Sequence, residues 1–180
     1  RRIAAMGFDA LLVNLYWRQA PNAAPDDAAA LVRAARGIPD RQVIDDVVGA
    51  AAYLRGLDTS NDRVGVIGFC SGGRHSVLVG CNADLDAVVD CYGAFVTGEP
   101  TKEFPLDVTN LVDQLPSLRA PLLGLFGNDD QFPSPQHVDE LEARLTELGK
   151  TFECVRYDGA AHAFLNADRD SYRVDAALDA

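Results

Sequence analysis

No Lys/Arg-rich run, no C-x-x-C pair and no membrane-length apolar stretch occurs in these 180 residues. Each absence excludes something. The longest apolar runs, Ala10 to Val13 and Val64 to Cys70, fall far short of the ~18 to 20 residues that a membrane span needs. The opening Arg1-Arg2-Ile3-Ala4-Ala5-Met6-Gly7-Phe8 leads into no apolar core of a signal peptide, so the expected location is cytoplasmic. Sixteen Lys+Arg against 27 Asp+Glu leave a formal net charge of -11. A phosphate backbone is repelled by such a chain, and nucleic acid is not an expected partner. Histidine is scarce, and His75, His137 and His162 show none of the spacings that hold zinc, so no metal site is expected. Cys70, Cys81, Cys91 and Cys154 are too few and too irregularly placed for a disulfide framework, and reduced thiols are expected.

What is present is ordinary globular composition, with 48% hydrophobic and 24% charged residues. The length suits one domain spanning residues 1–180. Short β-branched runs alternate with longer helix-like stretches, the pattern of an α/β fold with a parallel sheet. Five strands are expected: Ala10 to Leu15, Arg63 to Gly68, Ala87 to Cys91, Leu122 to Phe126 and Thr151 to Tyr157. Asp40 to Arg55 aligns Val43, Val47 and Leu54 on one helical face, and Pro135 to Leu148 aligns Val138, Leu141, Leu145 and Leu148. The second helix has Ser134 as N-cap, Pro135 at the first helical position and Gly149 just past its end. Ala20 to Asp27 and Gly98 to Pro105 read as loops. The first fifteen residues read as a helix end, a glycine turn and a strand, as if the chain began inside a fold; an N-terminal truncation is expected.

One segment carries chemistry. Val64-Gly65-Val66-Ile67-Gly68-Phe69-Cys70-Ser71-Gly72-Gly73-Arg74 runs a strand into a glycine-flanked cysteine and then a helix, the G-x-C-x-G form of a nucleophile elbow. A nucleophile on so sharp a turn has strained backbone angles, and Gly68 and Gly72 would relieve the clash by lacking Cβ atoms. The helix that follows points N–H groups at the same spot, favouring a thiolate, with the Ser71 N–H as a candidate oxyanion donor. The alternative is a glycine-rich turn around a structural cysteine. Cys91 and Cys154, inside expected strands, read as small buried thiols.

A nucleophilic thiol needs a base, and an imidazole base needs an orienting acid. Leu122 to Gly127 leads into Asn128-Asp129-Asp130, and Val155-Arg156-Tyr157-Asp158-Gly159-Ala160-Ala161 leads into His162. The order Cys, Asp, His, with both partners after the carboxyl ends of successive strands, is the α/β-hydrolase order. Asp130 is preferred as the acid, with Asp129 as the alternative, and Asp158 reads as a turn residue. His75 and His137 fall on expected helices. Tyr16, Trp17, Tyr92, Phe132 and Phe164 are candidates for a pocket wall or for the core, and Tyr92 is carried forward as a substrate-binding candidate.

With these residues in place, the chain resembles the dienelactone hydrolase family of α/β-hydrolases over nearly its whole length. The likeness rests on Gly68-Phe69-Cys70-Ser71-Gly72-Gly73, on Leu15 to Pro21, on Gly127-Asn128-Asp129-Asp130 and on Gly159-Ala160-Ala161-His162-Ala163-Phe164. It implies a mostly parallel central sheet with helices on both faces, here lacking the family's first strands. It also implies Cys70 as nucleophile, His162 as base and then acid, Asp130 as orienting acid, and Arg18 as a contact for a substrate carboxylate. Asn166 stands where the family has a second arginine, and Ala163 where it has a polar residue.

The expected activity is hydrolysis of a carboxylic ester or lactone through a thioacyl-enzyme, without a cofactor, on a small-molecule substrate, by a monomer or small homo-oligomer. The competing reading is a hydrolase-fold binding or scaffold protein without activity. Nucleotide binding is disfavoured, because Gly65, Gly68, Gly72 and Gly73 do not fit G-x-G-x-x-G and Arg144 stands where a P-loop at Gly149-Lys150-Thr151 needs its first glycine.

Overall fold

The computed structural model describes residues 2–180. Contacts divide the chain into two compact units, Arg1–Val64 with Thr101–Val108, and Gly65–Pro100 with Thr109–Ala180.

The first unit is helical, with α1 (Arg2–Ala5), α2 (Pro25–Ala34) and α3 (Asp40–Arg55). α3 has the bounds that its periodicity implies: Val43 and Ala51 are buried, with Val47 and Leu54 half-buried on the same face. α2 begins inside a stretch read from sequence as a loop. Its signals are Pro25 at the helix start and Asp26 and Asp27 in the first turn, where carboxylates meet the positive end of the dipole. Burial of Ala28 and Val32, one turn apart, fixes its inner face. Arg36 ties the unit's two segments together through its ion pair to Asp107 at 2.6 Å.

The strand expected at Ala10 to Leu15 is not formed. A strand exists only through ladder bonds to a neighbour, and among the described residues this segment has none. Local bonds take over instead: the Leu15 N–H donates to the Val13 carbonyl and the Tyr16 N–H to Asn14 Oδ1, so the run ends in turns. Leu12 is left 94% exposed.

The second unit holds a fully parallel sheet of β1 (Gly65–Phe69), β2 (Ala87–Cys91), β3 (Leu122–Gly127) and β4 (Phe152–Tyr157), ordered as they occur in the chain. The connections are α4 (Ser71–Asn82), a 3-10 turn at Val112–Ser117, and α5 (Pro135–Glu147); α6 (Val174–Asp179) follows β4. α4 packs on β1 and β2 and buries Val77, Leu78 and Val79 completely, as a helix against a buried parallel sheet must. α5 starts where its cap demands: Ser134 Oγ accepts from the His137 N–H, and His137 Nδ1 accepts from the Ser134 N–H. Gly149 then takes φ +62 and ends the helix.

Register places Phe69, Cys91 and Gly127 at one end of the sheet. The residues following these strands therefore emerge together, at the carboxyl edge where open parallel sheets hold their sites. Among the described residues no helix is long and apolar enough to cross a membrane, and no group of three His, Cys, Asp or Glu is placed to hold a metal.

Candidate active site

Cys70 sits between β1 and α4 with φ 57 and ψ -125, a conformation that side chains with a Cβ rarely adopt. Two contacts hold it there. Its N–H donates to the Cys91 carbonyl at 3.0 Å, and its own carbonyl accepts from the Gly73 N–H at 2.8 Å. The tight turn forces glycine at position 68, where a Cβ would lie 1.8 Å from the Gly72 carbonyl oxygen. The expectation for Gly72 is corrected: a Cβ there meets open space, whereas one on Gly73 would stand 2.2 Å from Asp90 Oδ1. The second required glycine is therefore Gly73, because the constraint comes from β2 packing against α4 and not from the turn alone.

The sulfur is exposed, and all four cysteines are free thiols. His162, in the loop after β4, brings Nε2 to 3.1 Å from Cys70 Sγ. On the other side of the ring, Nδ1 lies 2.8 Å from Asp130 Oδ2. Asp130 is buried and doubly engaged, since its Oδ1 accepts the Phe132 N–H at 2.9 Å. Asp129 is exposed and reaches Ala160 only through its backbone N–H. Of the two acids left open by the sequence, Asp130 is the one beside His162.

The electrostatics follow from these contacts. The bond to Asp130, then that to Cys70, pushes His162 up to about 10. The bond from His162 pulls the Cys70 thiol below its usual range against partial desolvation, and the Ser71 N–H adds to the lowering. Cys81, Cys91 and Cys154 move the other way, to about 11, 12 and 12, because burial opposes the thiolate. Cys70 alone among the four is shifted toward the thiolate.

A cleft of about 360 Å³ opens over the sulfur, lined by Phe69, Cys70, Tyr92, His162, Ala163, Asn166, Arg169 and Ser171. Tyr92 stands edge-on to His162 with ring centroids 5.3 Å apart, and rests on the fully buried Phe164 at 5.4 Å. Tyr92 and Ala163 both have positive φ, so backbone strain gathers around the cleft with that of Cys70. Phe164 belongs to the core and Tyr92 to the wall. Arg18 lies in the first unit, its guanidinium bonded to Asp46 and its side chain 60% exposed. Arg169 and Ser171 were not singled out by sequence, since the loop after His162 has no periodicity to mark which residues turn inward.

A parallel sheet with a strained cysteine at its first strand-to-helix turn, and histidine and aspartate after later strands, defines an α/β-hydrolase fold. The profile of the dienelactone hydrolase family matches residues 1–180, and the chain belongs to that family. A protein named carboxymethylenebutenolidase from Methylorubrum extorquens is 35% identical over 99% of this chain and 61% of its own length. One from Yersinia pestis is 34% identical over 99% of this chain and 66% of its own, so the chain spans just under two thirds of either relative. A Bradyrhizobium protein named 2-oxo-3-(5-oxofuran-2-ylidene)propanoate lactonase is 31% identical over 99% of the chain and 71% of its own length. The crystal structure of a dienelactone hydrolase from Klebsiella pneumoniae superposes with TM-score 0.76 at 30% identity, covering 92% of this chain and 68% of that one.

Proposed function

We propose that this chain hydrolyses a carboxylic ester or lactone through Cys70, His162 and Asp130, by way of a thioacyl-enzyme. The observation that carries the reading is the unbroken line from Asp130 Oδ2 through His162 to Cys70 Sγ, with contacts of 2.8 and 3.1 Å. The names of the lactone-cleaving relatives support the reaction class.

In the resting site the proton of Cys70 resides on His162 Nε2, because the aspartate stabilises the imidazolium and the Ser71 N–H the thiolate. The thiolate attacks the substrate carbonyl, forming an S–C bond as the carbonyl electron pair moves to oxygen. The Ser71 N–H at the start of α4 then turns to the developing oxyanion, aided by the helix dipole. Collapse breaks the C–O bond, and the departing alkoxide takes the proton from His162 Nε2. In a lactone that alkoxide stays tethered to the acyl group. Neutral His162 next removes a proton from water, whose hydroxide attacks the thioester; collapse of the second oxyanion breaks C–S, releasing the acid and regenerating the thiolate and imidazolium. Tyr92 and Phe69 wall the acyl group, and no step requires a cofactor. Arg18, held by Asp46, enters none of these steps.

The test is turnover of a dienelactone, a simple lactone and an activated aryl ester by the wild type and by Cys70→Ala. Cys70-dependent turnover of one of them is the expected result. Folded wild-type protein no faster than Cys70→Ala on all three would refute the reading and favour a hydrolase-fold binding protein.

A further inference from the structure

Asp90 is an acid in the middle of an apolar strand. It lies on β2, completely buried, opposite Gly68 of β1 and Gly124 of β3, so no side chain competes with it on that rung. Its Oδ1 accepts the Gly93 N–H at 2.7 Å. The same oxygen fills the space in which a Cβ on Gly73 or on Gly93 would fall, at 2.2 and 2.4 Å. The carboxyl is thus wedged between the first turn of α4 and the turn at Tyr92–Gly93.

The segment it holds is wired to the site at two points. The Cys91 carbonyl accepts the Cys70 N–H, and the Tyr92 ring stands against His162. Tyr92 keeps its positive φ with its N–H on the Leu125 carbonyl. Ser76 of α4 ties the neighbouring rung by donating to Val89.

We propose that Asp90 is a positioning residue for Cys70 and His162: its carboxyl ties the Tyr92–Gly93 turn to the first turn of α4, and so sets the Tyr92 ring against His162 and the Ser71 N–H against the sulfur. The chemistry of the carboxyl agrees. Oδ2 is buried and has no hydrogen-bond partner, and a carboxylate with a single donor and no cation is costly to bury. Burial accordingly pushes Asp90 up to about 7, against the bond from Gly93. The groups facing it do not supply a cation: α4 brings Arg74, whose guanidinium is turned to the Thr109 carbonyl, while Cys91 and Cys154 are thiols held neutral by burial. Neither β1 nor β3 contains a titratable residue. Burial thus favours the neutral form of the strut, with Oδ1 as the acceptor for the Gly93 N–H.

This inference rests on Cys70 as the nucleophile, and its test is chosen to stand apart from turnover. Asp90→Asn keeps the shape and the acceptor but cannot ionise; Asp90→Ala removes the strut. Alkylation of Cys70 by iodoacetamide, followed by peptide mapping across pH, reads the thiolate directly, and ester kinetics read kcat and KM. Asp90→Asn is expected to alkylate within about twofold of wild type from pH 6 to pH 8. Asp90→Ala is expected to lose about tenfold in alkylation at pH 7, with kcat falling more than KM changes. Folded Asp90→Ala with the wild-type alkylation profile overturns the proposal, as does Asp90→Asn that is as defective as Asp90→Ala. Should Asp90→Ala fail to fold, Asp90→Leu, of similar shape but without the acceptor, takes its place, and a folded Asp90→Leu with the wild-type alkylation profile overturns the proposal. Expected alkylation differences without ester turnover in any variant would refute the hydrolase reading and leave the strut standing.

Discussion

Asp130→Asn isolates the electrostatic core of the site with little change of shape. Asp130 Oδ1 accepts the Phe132 N–H and Oδ2 faces His162 Nδ1. An asparagine keeps its carbonyl on Phe132 and turns its amide N–H toward Nδ1, which must then accept. The ring proton is forced to Nε2, pointing at the sulfur, so neutral His162 can no longer take the thiol proton. Loss of Asp130 also removes the first cause of the raised His162, which the wild type holds at about 10, and so weakens the imidazolium whose bond is the first cause of the lowered Cys70 thiol. A thiol returned to its ordinary value of about 8.5 is only ~3% ionised at pH 7. Turnover is expected to fall about 10²- to 10³-fold, less than the ~10⁴ of a hydroxyl nucleophile, because a thiol ionises within reach of neutral pH. The assay is the pH titration of Cys70, by thiolate absorbance or alkylation with peptide mapping. At pH 7 Cys81, Cys91 and Cys154, all shifted toward the neutral thiol, are expected to stay silent, so one equivalent reacts in the wild type. An Asp130→Asn titration that coincides with wild type would refute the coupling of the three residues.

Three further outcomes are expected. Gly73→Ala places a Cβ 2.2 Å from Asp90 Oδ1 and 2.8 Å from the Gly93 backbone; denaturant unfolding should show a loss of about 3 kcal/mol or more, whereas Gly72→Ala, facing open space in a helix, should be neutral or gain about 0.5 to 1 kcal/mol. Phe164→Ala empties a fully buried site between Tyr92 and Tyr157 and should cost about 3 to 5 kcal/mol by thermal or chemical denaturation. Asp90, raised in the fold from 3.8 to about 7, keeps a proton that the unfolded chain has lost. Stability should therefore fall as pH rises from 4 to 7, by about 4 kcal/mol in all, and Asp90→Asn should abolish that slope, read as denaturation midpoints at pH 5 and 8.

Much of this was legible in the sequence because it is local. α3 and the start of α5 follow from periodicity and from the Ser134-Pro135 cap, which act within a turn or two. The four parallel strands follow from compact apolar runs. The same rule failed at Ala10 to Leu15, since an apolar run becomes a strand only beside a partner. α2 was hidden by its loop-like composition, although Pro25-Asp26-Asp27 is itself a helix-start signal. Asp90 was visible as one charged letter in an apolar strand, but a single letter says nothing of what surrounds it.

The sequence alone determined which chemical groups are available and in what order they leave the sheet: a glycine-framed cysteine, then paired acids, then a histidine, each after a strand. Tertiary structure decided the rest. It set Asp130 rather than Asp129 beside His162, moved the steric demand from Gly72 to Gly73, put Tyr92 rather than Phe164 in the wall, and buried Asp90 beneath the elbow. The physical reason is distance along the chain. A cap or a helical face is settled by neighbours a few residues away, whereas Cys70, Asp90, Asp130 and His162 owe their relation to the register of parallel strands, which no local pattern encodes.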